Sequence, residues 1–130
     1  MPVRYGSDLA EHEAVRNSAG LFDISHMGEI VVVGPQAKDF LDSKLINLSS
    51  KIAPGRAKYS MLLNESGGII DDLIVYRLSE EEFLIVANAS NKDSVAADLV
   101  PKGFDCEVQD QSDQWSMIAL QGPRSLEVLD

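Results

Sequence analysis

The chain has 130 residues, 45% hydrophobic and 25% charged, with 21 acidic against 11 basic side chains and a net charge of −10. That length and composition fit one ordinary globular core and exclude disorder as the default, while an acidic chain with no run of Lys and Arg excludes phosphate-backbone and anionic-membrane binding. One cysteine excludes an internal disulfide, and no stretch approaches the roughly 18 apolar residues of a bilayer span, so a cytoplasmic address is expected.

Ser7 or Asp8 can cap a first helix through LAEHEAVRNSA (9–19), with Leu9, His12, Ala14 and Val15 near one face and Gly20 closing it. LFDIS (21–25) is strand-like, and HMG (26–28) leads into EIVVVG (29–34), a β-branched run expected as a buried strand. Pro35 suits the first position of a helix over PQAKDFLDSKLI (35–46), with Phe40, Leu41 and Leu45 on its core side. RAKYSMLLN (56–64), IIDDLIVYRL (69–78) and EFLIVAN (82–88) then read as an antiparallel meander, turning at NESGG (64–68) and SEEE (79–82).

SNKDSVAADLV (90–100) predicts an amphipathic helix with Ser90 or Asn91 as cap and Pro101 at its end. FDCEVQDQ (104–111) and DQWSMIALQG (113–122) predict two further strands, and PRSLEVLD (123–130) opens a last helix with Leu126 and Leu129 at helical spacing. Strands and helices mix without regular βαβ alternation, so the expected class is α+β, with antiparallel or mixed sheets and packed helices. The amphipathic pattern stops about two turns into the last helix, which reads as the N-terminal part of a longer protein.

The least ordinary feature is Asp71 and Asp72 inside GGIIDDLIVYRL. Successive strand residues point to opposite faces, so one carboxylate faces inward if the other faces out. A buried carboxylate needs a partner, and either marks a working acid or sits near a strand end bonded to amides of the Gly67 to Gly68 turn. Asp72 shares a face with Ile74 and Tyr76, and Tyr59 on the preceding strand could lie across from them, a wall suited to a flat polar heterocycle. Strand tyrosines also commonly do no more than reach solvent. His26 reads as a structural hydrogen-bonding residue, Met27 as a soft apolar surface or core filler, and Cys106 as a small buried hydrophobe. No residues stand at metal-ligand spacing, and GxGxxG, P-loop, GxSxG and CxxC motifs are all missing.

Taken in order, HEAVRNSAGLFDISHMGEIVVVGPQAKDFL, PGRAKYSMLLNESGGIIDDLIVYRL, FLIVANASN and ALQGP resemble successive blocks of the glycine-cleavage T-protein family across essentially the whole chain. The resemblance implies the T-protein folate-binding fold in part, with residues 1–130 its N-terminal portion and the remaining domains absent. It implies an aminomethyltransferase that works with the lipoylated H-protein. The methylene of H-protein-bound aminomethyl-lipoamide passes to tetrahydrofolate and ammonia leaves, with no metal. It places Asp72 as the catalytic carboxylate near the reacting nitrogens of folate, and Met27, Tyr59, Tyr76, Val86 and Asn88 around the pterin, with Asp71 structural.

Asn47-Leu48 departs from an Asn-Asp pair common in the family. The family residues that hold the rest of the pterin and the glutamate tail fall beyond Asp130, so 130 residues alone are expected to be inactive. Two alternatives resemble the same superfamily: a folate-dependent demethylase, which Asp71 disfavours, and a folate-binding module of iron-sulfur assembly or tRNA modification.

Overall fold

A computed structural model describes residues 3–130. By chain contacts it divides into two compact units, Met1–Ser25 with Ser116–Asp130, and His26–Trp115.

The larger unit holds a five-stranded antiparallel sheet in the order β3-β4-β5-β2-β6, from β2 (Gly28–Val33), β3 (Arg56–Leu63), β4 (Ile69–Arg77), β5 (Glu82–Ala87) and β6 (Glu107–Asp110). The expected meander is present as β3-β4-β5, joined through β5 to β2. Strand alternation divides β4 cleanly, whereas β2 is buried on both faces. Ile30, Val32, Leu62, Leu73, Val75, Phe83 and Ile85 face a core closed by Phe40 and Leu41 of α2 (Ala37–Lys44) and Val95 of α3 (Lys92–Asp98). The other face carries Tyr59, Asp72, Ile74, Tyr76 and Val86.

The helix expected from Pro35 begins at Ala37 instead. Gly34 has φ +138°, and a Cβ there would lie 2.7 Å from Cys106 Cα, so the chain crosses β6's approach tightly before it can turn helical. Gln36 is committed there as well, its Oε1 accepting the Asp105 N–H at 2.6 Å. The strand expected over 104–111 shortens to β6, and Cys106 lies just before it, half-buried against the core. Arg77 points into the core side of β4, where its guanidinium donates to Ile52 O and Glu80 O and lies over the Phe83 ring, which makes its burial tolerable.

The smaller unit pairs β1 (Gly20–Asp23) antiparallel with β7 (Ile118–Gln121), flanked by α1 (Asp8–Asn17) and α4 (Ser125–Leu129). Ser7 caps α1 as expected, accepting Ala10 N–H, but the helix closes at Ser18 and Gly20 opens the strand. The strand expected over 113–122 loses its first half, because 112–114 form a 3-10 turn. Among the described residues no helix is long and apolar enough to cross a membrane.

Candidate functional site

On β4 the aspartates do what alternation requires: Asp71 is 2% exposed on the core side, and Asp72 is exposed on the other. Asp71 Oδ2 accepts Asn88 N–H at 2.9 Å, while Oδ1 accepts Asn88 Nδ2 at 3.0 Å and Asn91 Nδ2 at 2.6 Å. Three donors thus offset its desolvation. Neither aspartate bonds the Gly67 to Gly68 turn; there Asn64 Oδ1 accepts the N–H groups of Ser66 and Gly68. The inward carboxylate is Asp71, and Asp72 faces outward.

The ladder register sets the neighbours of Asp72. Met61 stands opposite it on β3, while Tyr59 and Val86 flank Ile74 on either side in the next row. Asp72, Tyr59, Met61, Ser60, Ile46 and Asn47 line a hollow of about 300 Å³, at the lower end of the size range for small-molecule pockets. Tyr59 is 68% exposed and Tyr76 38%, so both rings stand over an open face. Asn47 Nδ2 donates to Tyr59 O at 2.8 Å and pins the rim. The neighbouring Leu48, where the family pattern commonly has Asp, offers no carboxylate and is half exposed.

Met27 immediately precedes the Gly28–Ala87 pair and Asn88 immediately follows it, so both are carried to one end of the sheet. Asn88 Nδ2 reaches Asp72 O at 2.7 Å and Asp72 Oδ1 at 3.3 Å. Of the six expected residues, Asp72 and Tyr59 therefore share the hollow, and Tyr76 and Val86 share its sheet face outside the lining. Asn88 is bonded to Asp72, and Met27 stands half-buried at the same end without lining the hollow. Sequence reasoning passed over Ile46, Met61 and Asn91. The register opposite Asp72 singles out Met61, the lining of the hollow Ile46, and the bond to Asp71 Asn91.

Glu29 is a second carboxylate with an unusual place. It pairs with Val86 in the ladder, is fully buried, and neither carboxylate oxygen has a hydrogen-bond partner. Burial pushes its pKa above the ordinary carboxylate value, the charge of Asp110 adds to that, and Lys92 opposes it. Asp110 moves the other way, because the Ser112 hydroxyl and N–H both donate to it. Burial raises the Cys106 thiol, which fits a packing role better than a reactive one. His26 is exposed. Among the described residues no group of three or more His, Cys, Asp or Glu gathers as a metal site.

The family model for the GCVT N-terminal domain matches residues 1–130. Aminomethyltransferase of Corynebacterium jeikeium is 56% identical over 99% of this chain and 34% of its own length, and that of Thermus thermophilus is 47% identical over 99% and 38%. The crystal structure of glycine cleavage system aminomethyltransferase T from Bartonella henselae superposes with a TM-score of 0.88 at 46% identity, covering 93% of this chain and 34% of that one. The chain thus spans about a third of the length of the relatives it matches. A match along all 130 residues, with the fold reproduced at that identity, means that the chain belongs to the glycine-cleavage T-protein family and corresponds to its GCVT N-terminal domain.

Proposed function

We propose that this chain supplies one wall of the tetrahydrofolate site of a glycine-cleavage aminomethyltransferase, with Asp72 as its catalytic carboxylate. The observation that carries the reading is the exposed Asp72 side chain beside a hollow walled by Tyr59, on a sheet face that also bears Tyr76 and Val86. Relatives named aminomethyltransferase support the reaction.

In that reaction an aminomethyl thioether on the lipoyl arm of the H-protein gives its methylene to folate. Two C–N bonds form, to N5 and N10, as one C–N and one C–S bond break. The two N–H protons of folate leave with ammonia and the dihydrolipoyl thiol. A carboxylate at Asp72 orients the attacking amine and stabilises the iminium-like charge that develops on it. Tyr59, Tyr76, Val86 and Met27 supply flat packing surface for the pterin, and Asn88 supplies an amide at its edge. The reaction is carried out in the cytoplasm by a polypeptide of the relatives' full length. These 130 residues by themselves bind folate weakly and turn over little.

Calorimetric titration with tetrahydrofolate tests the wall directly. Binding is expected for the wild-type chain, weakened about tenfold or more in Asp72→Asn through loss of a charge-assisted hydrogen bond. In a full-length relative given aminomethylated H-protein, the matching substitution should cut ammonia release at least a hundredfold. Unchanged binding and unchanged release together would remove Asp72 from the mechanism.

A further inference from the structure

The Asn88 amide is held by more oxygens than it needs. Its Nδ2 group has two hydrogens, and three acceptors surround it: Asp71 Oδ1 at 3.0 Å, Asp72 O at 2.7 Å and Asp72 Oδ1 at 3.3 Å. That crowd fixes which way the amide points. Turning it by 180° would set a carbonyl oxygen against three oxygens and leave the buried Asp71 carboxylate short of a donor. Asp71 is itself fixed, because it also accepts the backbone N–H of Asn88 and the side chain of Asn91, which opens α3. Among the described residues no donor is bonded to Asn88 Oδ1.

The geometry points to Asp71 as a positioning residue that locks Asn88 with its carbonyl oxygen free, so that this end of the site selects a ligand edge rich in N–H donors, a reduced pterin rather than an oxidised one. The inference rests on the folate reading above and deepens it. Asp72 offers only acceptor oxygens when ionised, and the locked Asn88 offers an acceptor beside it. In tetrahydrofolate the ring nitrogens N5 and N8 carry hydrogens. In folic acid both are bare acceptors, so acceptor would face acceptor, a mismatch that disfavours the oxidised ring. Asp71 touches no ligand in this scheme. It acts through the orientation of Asn88.

The test uses the 130-residue chain labelled with ¹³C and ¹⁵N. Without ligand, both Asn88 side-chain amide protons should exchange with solvent at least tenfold more slowly than those of exposed asparagines, and Asp71→Asn should abolish that protection. With ligand, tetrahydrofolate should bind at least tenfold more tightly than folic acid and move the Asn88 Cγ resonance downfield, as a carbonyl does on accepting a hydrogen bond. p-Aminobenzoylglutamate, which lacks the pterin, should leave it unmoved. Asp71→Asn should shrink the preference for tetrahydrofolate by about tenfold, a ratio that a purely structural loss would not alter.

If Asp71→Asn fails to fold, the exchange and Cγ measurements on the wild type still decide. Freely exchanging Asn88 protons overturn the lock whatever folate does. Protected protons with no Cγ response in the tetrahydrofolate-bound protein overturn the acceptor role. Failure of the wild type to bind tetrahydrofolate at all overturns the folate reading and the ligand preference with it, while slow exchange then still upholds the lock.

Discussion

Every buried hydrophobic side chain among the described residues belongs to His26–Trp115, and none to the unit formed by Met1–Ser25 and Ser116–Asp130. Both units pair strands and carry helices, so secondary structure alone does not separate them. The larger has a sheet with helices closing one face, a third dimension in which Phe40, Leu41, Phe83 and Ile85 can be enclosed. The smaller has two four-residue strands, and Leu21, Ile118, Leu120, Val128 and Leu129 line an open apolar hollow instead of a core. A two-stranded ladder is marginal without a third layer. What holds this one is backbone: Ile24 N–H to Met117 O, Arg124 N–H to Ser18 O, and the Ser25 hydroxyl with the Met117 main chain.

The largest effect should come from emptying the true core. Phe83→Ala removes a fully buried ring that also lies under Arg77, and is expected to cost about 3–5 kcal/mol in urea unfolding. Leu21→Ala, a comparable truncation at a 65% exposed site in β1, should cost less than about 1 kcal/mol. Equal losses would mean that the smaller unit has a core of its own and the contrast is false.

How much of this was legible in the sequence follows the same division. The meander β3-β4-β5 is patterned by alternation, which puts one of Asp71 and Asp72 inward. By contrast, β2 is buried on both faces, Glu29 and Val31 on one and Ile30 and Val32 on the other, and so reads as an unbroken β-branched run. The neighbours of Asp72 were not legible. Counting back from the Asn64 turn pairs Leu63 with Ile69 and would set Met61 against Asp71, but the register shifts between Leu62 and Leu63, so Met61 meets Asp72. An irregularity of one residue has no residue-type signature in SMLLNESGGII, and it decides which side chains share the hollow. Of the two candidate caps, Ser90 and Asn91, Asn91 occupies the position, yet its side chain makes no cap bond and goes to Asp71. Its Nδ2 donates to the buried Asp71 carboxylate, and the side chain is turned to that tertiary acceptor and not to the helix's own N–H groups.

An intermediate effect should appear where the smaller unit depends on backbone approach. Gly122 has φ +118°, and a Cβ there would stand 2.5 Å from Ser18 O and 2.7 Å from Val15 O. Gly122→Ala is therefore expected to cost about 1–3 kcal/mol of local stability. Hydrogen exchange should quicken for the β1 and β7 amides while β2, β4 and β5 keep their protection. Uniform loss across both units would show that they open as one.

A smaller effect is tied to pH. Glu29 has its folded pKa raised above the unfolded value, mainly by burial, so its contribution is fully present below the unfolded pKa and is lost as pH rises through the folded one. Glu29→Gln removes that loss. The variant's thermal midpoint should exceed the wild type's by a few degrees at pH 8, with the gap closing toward pH 4. A gap independent of pH would mean that the gain comes from packing and not from the charge.

The smallest change in stability should come at Ile118, 63% exposed on β7 beside Leu21 in the apolar hollow. Ile118→Thr keeps the β-branched shape that suits a strand and gives up only apolar surface that water already reaches. The unfolding free energy should stay within about 0.5 kcal/mol of the wild type. Self-association is where the substitution should register, because an exposed apolar patch beside unpaired strand edges invites contact between copies. Light scattering at rising concentration should fall in Ile118→Thr relative to the wild type. A loss of about 2 kcal/mol or more would instead place Ile118 in a folded core, and the smaller unit would then be held by side chains after all.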